Sequence, residues 1–334
     1  MARILITGGA GFIGSQLGYK LYNDGHEVIL LDNMSFGHKD NLIIDGKKFG
    51  TFILDDIRNK SLFNHCKGVD YVYHLAGIAP LPNCQENPYN AVDINVAGTA
   101  NVLEASRVNG VKRVIFASTS AIYENNKQTP FLESDKTSPD LIYATTKMQC
   151  EALCNSFTQT YGIETVILRF FNVYGPHQDF QRKQPPLTGY LIKEFILGNT
   201  PILHSDGYQK RDYVYIDDLL ELCEIVMTHK DASGETFNVS SGKAISVREI
   251  VDIISSNFKN AKKPIYREAH KFWDKYPKLF GGKYPLKKQR LEAEVKKFSL
   301  GSTNKSKQIL NWEAKTNFKE GFKVSVEYAK KIGL

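Results

Sequence analysis

The chain has 334 residues, 42% hydrophobic and 24% charged, enough to bury a large core in one large domain or two unequal ones. No run approaches eighteen apolar residues and no basic-then-apolar leader precedes the first strand pattern, so a membrane span and a secretory signal are not expected and a cytoplasmic location is. The net charge of +7 is concentrated in Phe258–Lys297, where 13 Lys and Arg face 4 Asp and Glu; mixed as they are with Pro, Gly and aromatics, these charges read as a solvated surface rather than a nucleic-acid face.

The first stretch, Met1–Leu17 (MARILITGGAGFIGSQL), reads as strand, glycine turn and helix in succession. Ile4, Leu5 and Ile6 form the apolar run of a strand covered on both faces. Gly8, Gly11 and Gly14, spaced by three, suit a tight turn, a close backbone approach to a pyrophosphate, and helix-on-strand packing. The following helix offers its first N–H groups to an anion. A glycine trio alone also serves a plain strand-to-helix turn. Asp32, however, follows a second strand at Glu27–Leu31, where a carboxylate accepts hydrogen bonds from an adenosine ribose and repels a 2′-phosphate, which favours NAD over NADP.

A turn-rich segment after Asp32 leads to a third strand at Thr51–Leu54, then Asp70–Leu75 as a fourth, ending in the small residues Ala76, Gly77, Ile78 and Ala79. Pro88–Asn109 has helical spacing and carries Asn95; Arg113–Ala117 is a fifth strand running into Ser118, Thr119 and Ser120. Pro139–Tyr161 is a long helical pattern holding Tyr143, Lys147, Cys150 and Cys154, and Glu164–Phe170 is a sixth strand. The five cysteines, odd in number and unclustered, read as buried thiols rather than a disulfide, redox or metal set. Strict alternation of strand and helix predicts an α/β, doubly wound parallel (Rossmann) sheet with right-handed crossovers.

Beyond about Pro176 the alternation weakens. Phe180–Thr188 is polar and contains proline, Leu187–Leu197 reads as a helix, and a turn at Gly207–Asp212 feeds Tyr213–Val226. The expected division is a dinucleotide-binding part over 1–176 and a smaller substrate lobe over 177–334, with about 213–240 returning to the first part. His270–Pro285 (HKFWDKYPKLFGGKYP) has no clear period and reads as an ordered cap or a mobile loop.

Tyr143 and Lys147 lie four apart on one helical face. A lysine charge at about 6 Å, in an effective dielectric of roughly 20, favours a tyrosinate by about 3 kcal/mol, or two pKa units below the usual ten. A positive nicotinamide nearby adds to that shift, leaving the phenol poised as a general base.

The series TGGAGFIG (Thr7–Gly14), Asp32, DDIR (Asp55–Arg58), HLAG (His74–Gly77), INVAGT (Ile94–Thr99), STSAIY (Ser118–Tyr123), YATTK (Tyr143–Lys147), RFFNVYGP (Arg169–Pro176) and RDYVYIDD (Arg211–Asp218) resembles the extended short-chain dehydrogenase/reductase superfamily. Within it, the chain looks most like the nucleotide-sugar epimerases and dehydratases. The resemblance implies Tyr143 as base, Lys147 on the nicotinamide ribose, and Thr119 on the sugar hydroxyl being oxidised. It implies NAD contacts from Gly8, Gly11, Phe12, Ile13, Gly14, Asp32, Asn33, Leu75, Ala76, Gly77 and Asn95, an adenine flanked by Asp56 and Ile57, and Phe171 by the nicotinamide. Substrate contacts fall to Ser118, Thr119, Ser120, Asn172, Arg211, Arg290 and Ser299, with Asn172 and Arg211 on the diphosphate, for which a guanidinium is well suited. His74 reads as a structural residue. No metal is implied, and a homodimer pairing the helices Pro88–Asn109 and Pro139–Tyr161 is.

Departures from the pattern narrow the reaction. Dehydratases of this kind place Asp and Glu directly after the threonine, where this chain has Ser120 and Ala121; decarboxylases often carry Glu at the second of these positions. What remains is oxidation and return without elimination, namely 4-epimerisation of a nucleotide sugar, a UDP-hexose or UDP-N-acetylhexosamine. The rival readings are a nucleotide-sugar 4,6-dehydratase or a UDP-glucuronate decarboxylase/4-epimerase, and, from a different class, an NAD-binding regulatory protein without catalysis. The arginine that many epimerases hold seven residues before the sugar-pocket position falls here at Glu292, with Arg290 the nearest arginine. Ser299 matches the pocket position, counted back from Leu310, Asn311 and Trp312; being small, it leaves room for an N-acetyl group.

Overall fold

A computed structural model describes residues 1–334 except 181, 183 and 184, so part of the polar Phe180–Thr188 segment lies outside the described residues. In chain order, the elements that position the site are β1 (Arg3–Thr7), α1 (Phe12–Asn23), β2 (Glu27–Asp32), β3 (Thr51–Leu54), β4 (Tyr71–His74), α2 (Gly98–Val108), β5 (Arg113–Thr119), α3 (Ile142–Tyr161), β6 (Glu164–Phe170), β7 (Asn172–Tyr174), β8 (Lys210–Tyr215), α4 (Ile216–Thr228), β9 (Thr236–Val239), β10 (Ala244–Ser246) and α5 (Lys288–Lys296).

Seven strands form one parallel sheet in the order β9-β6-β5-β4-β1-β2-β3. Successive side chains of a strand point to opposite faces, and here both faces are covered. Ile4, Ile6, Leu30, Ile115 and Leu168 belong to one apolar layer, whereas Leu5, Ile29, Leu31, Val72, Val114, Phe116 and Ile167 belong to the other. Helices α1 and α4 pack on the first face; α2 and α3 pack on the second. Each fully buried Leu, Ile or Phe contributes about 1.5–3 kcal/mol. All five cysteines are buried free thiols, in line with the reading of the sequence.

Four elements differ from the sequence pattern. The helix expected over Pro88–Asn109 is interrupted: Pro88–Val92 is followed by a wide π-type turn at Asp93–Ala97 before α2 begins. Such turns spend one extra residue to re-aim a side chain, here that of buried Asn95. Helix α3 starts at Ile142 rather than near Pro139 because Leu141 is extended and the N–H groups of Asp140 and Leu141 donate to Glu124 Oε1. Tyr213–Val226 divides into the end of β8 and most of α4. The seventh strand, β9, has no counterpart in the pattern read from sequence; it pairs with β6 and so lies in the central sheet although it comes late in the chain.

A second, three-stranded sheet, β10-β8-β7, stands beyond the carboxyl ends of the main strands. The basic aromatic segment forms a cap. Short 3-10 turns at Ala269–Lys275 and Pro277–Phe280 lead to α5, with Trp273, Leu279 and Leu291 buried together and Leu81 packed against them. Leu81 begins the short helix Leu81–Glu86 that follows β4, so the cap reaches from the small sheet back to the first part of the fold.

Candidate active site

The turn after β1 is built so that only glycine fits. A Cβ at Gly14 would stand 2.2 Å from the Gly8 carbonyl oxygen, and one at Gly8, whose φ is +74°, would stand 2.9 Å from the Ala76 nitrogen. The turn is fixed by the Gly8 N–H donating to Leu31 O (2.8 Å) and the Gly11 N–H to Gly8 O (3.1 Å). Helix α1 has no side-chain cap and no acid in its first turn; its first backbone bond comes from Ser15, to Gly11 O. The N–H groups of Phe12, Ile13 and Gly14 therefore face out of an uncapped positive helix end, which fits a pyrophosphate.

At the end of β2, Asp32 accepts from Ala10 N (3.1 Å) and Met34 N (2.8 Å), leaving lone pairs on both oxygens for a ribose; burial lifts its pKa. Asn33 Nδ2 donates to Asp56 Oδ2 (2.7 Å), while Arg58 grips Asp56 through Nε and Nη2, both at 2.8 Å, and holds its carboxyl far below the usual range. The Asp56 carboxylate is thus occupied within the protein, and Ile57 is packed in the core against Gly98. Leu75 N donates to Thr7 O and Ala76 N to Thr7 Oγ1, which sets the end of β4 beside the glycine turn. His74 is buried between Thr7 (2.8 Å) and Thr99 (3.0 Å), and burial takes its pKa down to about 3, so it is a neutral structural residue. The glycine cradle, the open helix end and the Asp32 carboxylate together fit a dinucleotide.

Beside this cradle, Asn95 braces the loop after β4. Its Oδ1 accepts from Ile78 N (2.8 Å), and its Nδ2 donates to Ile78 O (3.1 Å) and Thr146 Oγ1 (3.0 Å). A Cβ on Gly77 would meet Asn95 Oδ1 at 3.0 Å and Lys147 Nζ at 3.6 Å, so these three share one spot. Lys147 Nζ donates to Ala117 O (2.8 Å) and lies 4.6 Å above the Phe116 ring; burial lowers its pKa.

Tyr143, one turn earlier on α3, packs partly buried against Ile78, Cys84 and Ala91. Its pKa corrects the sequence-based expectation. Burial pushes it up to about 12, a rise only partly opposed by hydrogen bonding with Thr119, because Lys147 is turned to Ala117 O. Thr119 Oγ1 also accepts from Ala121 N (3.1 Å), at the start of the turn Ser120–Tyr123. Thr119, Tyr143 and Lys147 thus stand together, with Ser120 partly exposed beside them.

Ser118 does not join them. Strand alternation turns its side chain to the other face, where its hydroxyl donates to Glu151 Oε1 in a buried network. Glu151 pairs with Arg169, which donates to Tyr123 OH (2.6 Å). The assignment of the Ser118 side chain to substrate is corrected accordingly. The Phe171 ring is likewise packed with Ile122, Tyr123 and Phe131 and against Gly301, and its N–H donates to Val239 O (3.1 Å).

Across the cleft, Asn172 lies opposite Tyr213, and Arg211 opposite Ser299 through an isolated parallel bridge. Asn172 Nδ2 donates to Asp212 O (2.8 Å), and Arg211 Nη2 to Glu294 O (2.5 Å). Ser299 is buried, fixed by Asp212 N donating to its carbonyl (2.8 Å) and its own N–H to Lys210 O (3.1 Å). The structure therefore unites Arg211 and Ser299, 88 positions apart in number, at one point. Arg290 is different: its guanidinium is taken by Glu124 (2.7 Å) and Asp140 (2.7 Å), with Glu294 at 3.6 Å. Arg290, expected as a substrate contact, is thus held among three carboxylates. Sequence reasoning missed Glu124, whose carboxylate organises the start of α3; it fell within a stretch read for other features.

The sheet, the glycine cradle and the Tyr143–Lys147 pair define a class, and sequence comparison agrees: the chain belongs to the NAD-dependent epimerase/dehydratase family, whose pattern matches residues 4–240. It is 32% identical over 343 residues to the UDP-glucuronate 4-epimerase of Thermodesulfobacterium geofontis, covering 99% of this chain and 97% of the relative. Among solved structures it is similar to the UDP-glucose 4-epimerase of Thermotoga maritima, crystallised with UDP-glucose (TM-score 0.86, 30% identity, 99% of both chains). A similar match is the UDP-N-acetylglucosamine 4-epimerase of Methanobrevibacter ruminantium in complex with UDP-N-acetylmuramic acid (TM-score 0.86, 27% identity, 99% of both chains).

Proposed function

We propose that this protein is an NAD-dependent 4-epimerase of nucleotide sugars, acting on a UDP-hexose or UDP-N-acetylhexosamine through a transient 4-ketose. The observation that carries the reading is the meeting of Thr119, Tyr143 and Lys147 beside a dinucleotide cradle, with Ser120 and Ala121 where an eliminating enzyme needs an acid and a base. Bound NAD supplies a hydride acceptor that becomes the donor in the return half. Tyr143 takes the proton of the sugar 4-hydroxyl and gives it back after the ketose has turned over. Thr119 orients that hydroxyl. Lys147 holds the nicotinamide ribose from its anchor on Ala117 O. Gly8, Gly11, Phe12, Ile13 and Gly14 hold the pyrophosphate, and Asp32 the adenosine ribose.

The sugar pocket is walled by Ser299, and its size sets the substrate. Incubation with UDP, GDP, CDP and dTDP sugars, followed by NMR of the sugar protons, should show C4 inversion of a UDP sugar with N-acetylhexosamines accepted. Ser299→Tyr should remove activity on the N-acetylated sugars and spare UDP-glucose or UDP-galactose. A phenol ring and an acetamido group overpack one space at a cost of about 1–3 kcal/mol. A stable 6-deoxy-4-keto product or a pentose product would replace epimerisation by dehydration or decarboxylation, and equal loss on every sugar would remove Ser299 from the pocket.

A homodimer is the assembly this reading calls for, through the helical stretches 88–109 and 139–161. Tyr89, Val92, Val108 and Tyr161 are exposed along them, and Arg107 lies 4.8 Å above the Tyr161 ring, joining the two stretches into one face. Closed two-fold dimers bury such a face against itself. Light scattering should give twice the chain mass of 37.7 kDa; a monomer at every concentration would refute the assembly. Among the described residues no helix is long and apolar enough to cross a membrane.

A further inference from the structure

We infer that Gln85 and Glu124 are positioning residues for Tyr143: from two separate segments they hold the start of α3, and the cap steadies both. This deepens the epimerase reading above and rests on it.

Helix α3 begins without the residue type that usually secures such an end. Leu141 stands at its N-cap, and leucine has no side-chain oxygen to accept the free N–H groups of a first turn. The first backbone bond of the helix comes from Thr145, to Leu141 O (2.9 Å). Acceptors for earlier groups come from distant parts of the chain. Gln85 Oε1 accepts from Ile142 N (2.6 Å), and Glu124 Oε1 accepts from Leu141 N (2.9 Å) and from Asp140 N. These three N–H groups immediately precede Tyr143, the second residue of the helix. Helix ends fray, so a phenol at this place is only as well fixed as the turn that carries it.

The two holders are themselves braced. Gln85 lies in the short helix Leu81–Glu86, whose Cys84 belongs to the apolar cluster on which Tyr143 packs. Leu81 of the same helix packs against Trp273, Leu279 and Leu291 of the cap. Glu124, 2% exposed at its side chain, accepts from Arg290 Nη2 of α5 at its second oxygen (2.7 Å), and Arg290 Nε donates to Asp140 Oδ1 (2.8 Å). The cap therefore reaches the start of α3 by two routes, one apolar through the Leu81 helix and one ionic through Glu124. Loss of either holder loosens the turn that carries Tyr143, and a reacting group misplaced by about 1 Å costs up to a hundredfold in rate.

Steady-state epimerisation by the NAD-loaded protein, followed by NMR of the sugar protons, tests the positioning. Gln85→Met keeps the side-chain length and removes the acceptor; it should lower kcat about tenfold while KM changes less than about threefold and NAD is retained. Gln85→Glu, which keeps an oxygen for the Ile142 N–H, should recover most of that loss. Glu124→Met should act like Gln85→Met, and where it fails to fold Gln85→Met decides. Arg290→Gln should lower kcat in the same direction, and full kcat in that variant would remove the cap from the proposal. The discriminating readout is the double variant. Added to Tyr143→Phe, Gln85→Met should change the residual turnover by less than about twofold, because a residue that acts through the phenol has nothing left to act on. If Gln85→Met turns over like the wild type, raises KM instead of lowering kcat, or slows Tyr143→Phe as much as it slows the wild type, the inference is overturned while the epimerase reading stands. A wild-type protein that inverts C4 of none of the UDP, GDP, CDP or dTDP sugars overturns the epimerase reading, and this inference with it.

Discussion

Replacing Tyr143 by phenylalanine is expected to lower epimerase turnover about a hundredfold or more, the scale of a lost general base, while the fold and the bound NAD survive. The phenol packs against Ile78, Cys84 and Ala91, and phenylalanine keeps those contacts. What disappears is the oxygen beside Thr119, the atom proposed to take the sugar's proton. Because burial holds that phenol near a pKa of about 12, the reaction depends on positive charge to bring it down. The nicotinamide of bound NAD would supply that charge beside the phenol. Turnover measured by NMR, with retained cofactor measured by absorbance after denaturation, separates the roles. Activity within a few-fold of wild type would take Tyr143 out of the mechanism, and loss of NAD alongside would make it a binding residue.

The second large effect concerns stability. Glu151→Gln is expected to cost about 3 kcal/mol or more, because it leaves the Arg169 guanidinium buried without its counter-charge. Both side chains of this pair are 8% exposed, and the pair is bidentate, with Nε to Oε1 at 3.0 Å and Nη2 to Oε2 at 2.8 Å. The same carboxylate accepts from Ser118, and the same guanidinium donates to Tyr123 and to Glu133 O. The strand that ends at Thr119 is thus tied to α3 just behind the site. Urea unfolding should show a lower midpoint with unchanged slope. A loss below about 1 kcal/mol would mean that water or a shifted side chain compensates the arginine.

Local signals made the first half of the site legible. The glycine spacing, the short apolar runs and the Tyr143–Lys147 interval are each set by backbone sterics or helical period, so they read directly from residue types. Strands β1 to β6 fall close to their predicted positions for the same reason. What the sequence hid depends on tertiary neighbours. The π-type turn at Asp93–Ala97 arises from fitting Asn95 to the loop after β4, and no local propensity announces it. Ser118 and Thr119 are adjacent in sequence and chemically alike, yet strand alternation sends one to a buried ion pair and the other to Tyr143. Ser299 stands beside a run of basic residues that looks solvated, and only its bridge to Arg211 draws it inward. Glu124 carries no motif at all. Its role comes from two backbone N–H groups sixteen and seventeen residues further along the chain.

The late arrival of β9 bears on how the chain acquires its shape. Until residues 236–239 exist, β6 is an open edge, a row of unpaired backbone groups that invites association with other chains. Side chains made much earlier wait for partners that also come late: Tyr73 OH for Cys223 O, Arg113 for the carbonyls of Val226 and His229, and Tyr123 OH for Asn238 Oδ1. A fragment ending at Pro176 would carry the glycine cradle and the Tyr143–Lys147 pair, but with these buried donors unsatisfied and one face stripped of α4. On the ribosome, the central sheet therefore completes its fold only after residue 239 has been synthesised, and contacts of such sequence separation make that completion slow.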